Sequence, residues 1–145
     1  MDLKQIREMV SEDMPIDETS LDRESLNIPL LHNKYLNILH DEKLLLHKYN
    51  IDLRKLLKLK WEYYNGKIDQ ETLNRMGWDP FPLKILKQDV EMYIEADDEV
   101  IAMNSKVVFQ KEKVDYLESV LKGLNNRQFH IRDAINWRKF VSGVG

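Results

Sequence analysis

Residues 31–67 read LHNKYLNILHDEKLLLHKYNIDLRKLLKLKWEYYNGK, and the spacing within this stretch decides the fold. Steps of four and then three residues from Leu31 select Leu31, Tyr35, Ile38, Glu42, Leu45, Tyr49, Asp52, Leu56, Leu59 and Tyr63. Eight of these ten are apolar or aromatic, the seam of a long amphipathic helix. The helix is expected to begin near Leu21, with Ser20 or Asp22 as its N-cap, and to stop at Asn65-Gly66. Pro29 either bends it early or starts a second helix at its first turn. From Leu30 to Asn65 it would extend about 54 Å at 1.5 Å per residue, too long to fold back inside a compact globule.

Working outward, Asp2–Glu12 reads as a short helix with Leu3, Ile6, Met9 and Val10 on one face, ended by Met14-Pro15. Residues 67–82 form a connector in which Asp69 caps a short helix to Met76 and Gly77 stops it. The stretch Leu83–Ile94 is either helical or partly extended, and helix is favoured. Asp97 or Asp98 then caps a second long helix. Its seam runs through Val100, Met103, Val107, Gln110, Val114, Leu117, Leu121, Leu124, Gln128, Ile131, Ile135 and Arg138. Gly123 and Asn125-Asn126 are its weak points, and the tail VSGVG is expected to fray. The fold class is therefore all-α. Two open apolar seams predict burial against other copies, so Val107, Val114, Leu117, Leu121, Leu124, Ile131 and Ile135 are expected to drive oligomerisation. Residues 1–82 are expected to form a DNA-binding region and residues 83–145 an oligomerisation region, within one continuous structural unit.

Composition narrows the chemistry. The 145 residues contain 32 % charged residues, 5 Gly, 4 Pro and no Cys, which suits long helices and excludes disulfides and thiolate metal sites. The longest apolar runs are a few residues, and the first fifteen lack a signal-peptide core, so a soluble intracellular protein is expected. His40 and His47 share a helix face, but two turns separate them by roughly 10 Å, too far for one ion. No Walker loop, GxGxxG or Gly-x-Ser-x-Gly occurs, so neither a cofactor nor an enzyme activity is expected.

The net charge of −3 hides segregation: −6 over residues 1–42, +5 over 43–67, −6 over 68–99 and +4 over 100–145. Fields act locally, over about 10 Å at 0.1 M salt, so the basic block can hold a polyanion on an acidic chain. That block carries Arg54, Lys55, Lys58, Lys60 and Lys67 among Trp61, Tyr63 and Tyr64. Cations neutralise phosphates and flat rings stack on bases, the two needs of sequence-independent single-strand binding. On a helical wheel, Arg54, Lys58, Trp61 and Asn65 fall within about 60° of one another, opposite Leu56, Leu59 and Tyr63. Lys60 and Lys67 lie nearer the seam's edge, beside Tyr64. The competing explanation is a charge-segregated coiled-coil scaffold or assembly chaperone, in which Trp61 packs on a neighbouring subunit and the lysines are merely solvated.

The run KLLKLKWEYYNGK resembles the Lys-x-(Arg/Lys)-apolar-(Asp/Glu)-Tyr-Tyr-x-Gly-(Arg/Lys) signature of UvsY-type phage recombination mediators, filled here by Lys58, Lys60, Trp61, Glu62, Tyr63, Tyr64, Gly66 and Lys67. The resemblance extends through IDETSL at Ile16–Leu21, LLHNKYLNIL at Leu30–Leu39 and NNRQFHIRDAINWRKF at Asn125–Phe140. It implies single-stranded DNA binding by ring-like, hexamer-like homo-oligomers. Their task would be to help a RecA-like phage recombinase displace the phage single-strand-binding protein, in the cytoplasm of the infected host. The signature's two basic positions, Lys58 and Lys60, are implied DNA contacts, joined on chemical grounds by Arg54, Lys55, Trp61, Tyr64 and Lys67. The resemblance also places self-assembly in the C-terminal region. There, Arg127, His130, Arg132, Arg138 and Lys139 beside Phe129, Trp137 and Phe140 are read as the rim and core of an interface, in preference to a second DNA surface.

Overall fold

The computed structural model describes residues 1–143, and every regular element among them is helical. The order is α1 (Leu3–Asp13), α2 (Leu21–Tyr64), α3 (Gln70–Met76), a 3₁₀ turn (Lys87–Asp89), α4 (Val90–Glu95) and α5 (Asp98–Val141). The expected frayed tail falls largely beyond α5, and Val144 and Gly145 lie outside the described residues.

Local chemistry sets the boundaries. Asp2 and Gln5 form a reciprocal capping box at the start of α1, with bonds of 2.8 and 2.9 Å. The Ser20 carbonyl accepts from the Glu24 amide and opens α2, so Ser20 occupies the cap position and Asp22 lies in the first turn. Pro29 sits inside α2 and starts no new helix, because the buried Leu21, Leu31 and Tyr35 hold the chain on both sides of it. At the far end, Gly66 adopts φ 69°, its amide bonds to the Tyr63 carbonyl, and the Lys67 amide returns to the Glu62 carbonyl. Asp69 caps α3 through the Thr72 amide at 2.7 Å, and Gly77 ends it as expected.

Two expectations require correction. Leu83–Ile94 is not one helix: residues 83–86 are irregular, and helix begins only after the 3₁₀ turn. Pro80 and Pro82 fix φ and favour extended backbone before them, while Phe81 is held against Tyr63 and Tyr64, so the chain turns at Lys87 before α4 can start. Conversely, α5 passes through Gly123 and Asn125-Asn126 without a break. The buried Leu121, Leu124, Arg127 and Ile131 flank them, and that burial outweighs the roughly 1 kcal/mol that a helical Gly costs.

The chain divides into two compact units, Met1–Leu44 with Lys111–Gly145, and Leu45–Gln110. In each unit a stretch of α2 meets a stretch of α5. In the first unit, Arg127 bonds Glu24 at 3.0 Å, and Lys113 reaches Glu42 at 3.3 Å. Arg127 also donates to the Met14 carbonyl at 2.6 Å, tying the α1–α2 link to α5. Tyr35 is wholly buried and donates to Asp13 at 2.7 Å. The core of this unit is Ile6, Leu21, Leu31, Tyr35, Leu39, Val114, Leu117, Leu121, Leu124 and Ile131.

This core overturns the expectation of open seams. Val114, Leu117, Leu121, Leu124 and Ile131 are buried within the chain itself, and Val107 and Ile135 are half-buried. A heptad pattern states that a stripe is covered and does not say by which chain. The apolar surface left on α5 is a different set: Ile101, Val108 and Phe109 in its first half, and Phe129, Trp137, Phe140 and Val141 towards its end, with the Trp137 and Phe140 rings stacked at 5.7 Å.

Because α5 is continuous at Gly123 and a Cβ there would meet nothing within 4 Å, Gly123→Ala is expected to stabilise the protein by about 1 kcal/mol. Urea denaturation followed by circular dichroism measures it. A loss of stability would mean that the helix yields at this point.

Candidate nucleic-acid interface

The second unit is organised around one lysine. Lys60, in the last turns of α2, is 4 % exposed, unusual for a residue that is almost never buried unless paired. Its ammonium lies 3.0 Å from Asp97, 3.4 Å from Glu99 and 3.9 Å from the centre of the Trp78 ring. Asp97 is at once this ion-pair partner and the cap of α5, accepting from the amides of Glu99 at 3.0 Å and Val100 at 3.1 Å. Tyr64 donates to Asp97 at 2.7 Å, and the Trp78 indole N–H donates to Glu99 at 2.6 Å. Each acceptor of this small network therefore meets donors from α2, from the connector or from α5 itself.

Rings close the network on its other side. Tyr63 meets Trp78 at 5.4 Å and Phe81 at 5.6 Å, and Tyr64 meets Phe81 at 4.9 Å and Tyr93 at 5.6 Å. The Tyr63 hydroxyl donates to the Asp79 carbonyl at 2.6 Å. Edge and tilted pairs of this kind contribute about 1 kcal/mol each beyond the area they bury. They fasten the connector between α3 and α4 to the end of α2.

The titration behaviour follows from this packing. Burial pushes the Tyr64 hydroxyl well above its usual range, reinforced by its hydrogen bond to Asp97. Burial would raise the Asp97 carboxyl as well. Hydrogen bonds from Tyr64, Lys60 and the Val100 amide, with the lysine's charge, outweigh that and hold it below the ordinary 3.8.

The opposite face of α2 is different in kind. Arg54, Lys55 and Lys58 are exposed and have no ion-pair partner among the described residues. Trp61 is 46 % exposed, and the Lys67 ammonium stands 4.9 Å from its ring centre. The Asn65 side-chain amide donates to the Trp61 carbonyl at 2.7 Å, and its backbone N–H donates to the same carbonyl at 3.1 Å. Arg54, Lys58 and Trp61 are spaced four and three apart, so they form one stripe.

Of the seven residues expected to meet DNA, the structure thus gathers Arg54, Lys55, Lys58, Trp61 and Lys67 at the surface. It turns Lys60 and Tyr64 inward, where both are already bonded to Asp97. At about 100° per residue, Lys58 and Lys60 sit roughly 200° apart, so one helix cannot present both on one face. The residues missed from sequence are Asp97, Glu99 and Trp78. The available signal was Lys60 lying three and four residues before Tyr63 and Tyr64 at the seam's edge, where a cation needs a buried counter-charge. Among the described residues, no group of His, Asp or Glu is placed to hold a metal ion, and no helix is long and apolar enough to cross a membrane.

A depressed carboxyl contributes stability that is fully present above its ordinary pKa of 3.8 and is lost as pH falls through the lower folded value. Melting temperatures of the native protein should therefore drop on acidification from about pH 5 to pH 3. Asp97→Asn should already melt lower at neutral pH and fall less steeply over the same range. Parallel curves for the two proteins would contradict the assignment.

Comparison with known proteins agrees with this architecture. The sequence profile described as "Recombination, repair and ssDNA binding protein UvsY" matches residues 9–144. The recombination protein uvsY of Enterobacteria phage T4 is 23 % identical over 143 residues, spanning 99 % of both chains. A crystal structure of the bacteriophage T4 recombination mediator protein UvsY superposes with a TM-score of 0.85 at 22 % identity, covering 97 % of this chain and 99 % of that one. A second crystal form gives the same TM-score over 98 % of each chain. With the profile matched from the end of α1 onwards, this chain belongs to the UvsY family of recombination, repair and single-stranded-DNA-binding proteins.

Proposed function

We propose that this chain is a recombination mediator that holds single-stranded DNA on the outer face of α2. It would use that hold to help a RecA-like phage recombinase displace the phage single-strand-binding protein. The observation that carries the proposal is the row Arg54, Lys58 and Trp61, exposed and without counter-charges, on a helix end fixed from behind by the buried Lys60. Arg54, Lys55, Lys58 and Lys67 meet phosphates, and Trp61 stacks on a base. Lys60 and Tyr64 serve the same surface by holding it in place.

Each subunit offers only a few contacts, so affinity rests on several subunits acting together in a ring-like, hexamer-like homo-oligomer. The exposed Phe129, Trp137, Phe140 and Val141 on α5 supply the apolar surface for that assembly. Remodelling is then driven by binding energy and by the recombinase's own chemistry, in the cytoplasm of the infected host, with no catalytic step in this chain.

Counterion release separates contact from support. For single strands, each lost phosphate contact lowers the slope of log K against log salt by about 0.7. Lys58→Ala should weaken binding to all sequences and flatten that slope. Lys60→Met should weaken binding and lower the melting temperature while leaving the slope of the remaining folded protein unchanged. A flattened slope for Lys60→Met, or an unchanged one for Lys58→Ala, rejects this division of labour. A native protein that binds no oligonucleotide even at low salt would instead favour a coiled-coil scaffold.

A further inference from the structure

Beside Trp61 lies a groove of about 440 Å³ that the phosphate-binding row does not use. It is lined by Leu57 and Trp61 of α2, Glu91, Ile94 and Glu95 of α4, and Val100 and Asn104 of α5. Val100 is 1 % exposed, and Leu57 and Ile94 are half-buried, so the walls are apolar. Glu91, Glu95 and Asn104 are exposed and supply the polar groups. Apolar walls with a few polar groups, at this volume, are the usual anatomy of a small-ligand site.

The charges limit what can enter. Two carboxylates repel a phosphate, so the groove does not extend the cation row. They accept hydrogen bonds, so they suit a flat apolar group that carries N–H donors. Trp61 borders both regions: it lines the groove, and the Lys67 ammonium stands 4.9 Å from its ring. A strand whose phosphates meet Arg54, Lys58 and Lys67 therefore has a base within reach of the groove.

Resting on the single-strand reading above, we infer that this groove receives one unpaired nucleobase of the bound strand, stacked on Trp61, and that Glu91 and Glu95 favour bases with an exocyclic amino group. Cytosine N4 and adenine N6 donate to a carboxylate, and guanine offers an amino and a ring N–H. Thymine offers a single ring N–H, flanked by two carbonyl oxygens that the acids repel, and carries no amino group. The chain thus binds every sequence through its phosphates and adds a bias against thymine tracts. Modest preferences of this sort are superimposed on stacking and charge in single-strand binders.

Anisotropy titrations of the full chain with labelled oligo(dC) and oligo(dT) of equal length test this, since both are pyrimidine strands of like charge. The native protein should prefer oligo(dC) by about fivefold. Glu91→Gln with Glu95→Gln should bring the two within about twofold, chiefly by improving oligo(dT), because an amide can both donate and accept. Trp61→Ala should weaken both and lose the bias, whereas Trp61→Phe keeps it. The two glutamates are exposed, so their double variant carries the test even if Trp61→Ala fails to fold. Equal native affinities, or a bias that survives in the double variant, overturn the groove assignment. If Lys58→Ala still weakens both strands in that case, the phosphate row stands and only the groove falls. If the native protein binds neither strand, the single-strand reading itself has failed.

Discussion

A buried ammonium needs a counter-charge, and in this chain that need joins the end of one long helix to the start of another. Lys60 reaches Asp97 at 3.0 Å, and Asp97 is the residue whose carboxylate caps α5. One side chain thus neutralises a charge, satisfies two backbone amides and accepts from Tyr64. Removing the lysine from such a pair costs about 3–5 kcal/mol, because the carboxylate is left charged and dry. The aromatic packing of Tyr63, Tyr64, Trp78, Phe81 and Tyr93 is built around this point.

Burying Lys60 also sorts the charges of the basic block. The acidic stretch that follows it in sequence, residues 68–99, supplies Asp97 and Glu99 to the inward lysine. Arg54, Lys55 and Lys58 are left on the other side of the same helix without such partners among the described residues. Segregation along the sequence becomes segregation across a helix. A chain of net charge −3 can then present a positive stripe, since screening confines each field to about 10 Å at ordinary salt. The UvsY family to which the chain belongs is described by single-stranded DNA binding, and a stripe of this kind is what such a ligand requires.

The helical class was legible because Leu31, Tyr35 and their successors repeat at one period over many turns, and the caps at Ser20, Asp69 and Gly66 are short-range signals. What covers the seams was not legible. Val114, Leu117 and Leu121 carry the same heptad signature whether they face a second copy or α2 of their own chain, and here it is their own chain. The stretch 83–86 was misread because helix propensity is local while the restraint is not: Phe81 is pinned to Tyr64, and two prolines precede the turn. Lys58 and Lys60 looked equivalent as members of one motif. Only the wheel angle and the distant Asp97 separate them, and a contact across 37 positions leaves no local mark.

Ultraviolet cross-linking of the unmodified protein to a single-stranded oligonucleotide, mapped by peptide mass spectrometry, tests the central claim most directly. Adducts on Trp61, with Lys58 and Lys67 shielded from amine labelling and Lys60 unlabelled with or without DNA, are the predicted result. Adducts confined to Phe129, Trp137 and Phe140, with Lys58 labelled equally in free and bound protein, would contradict it.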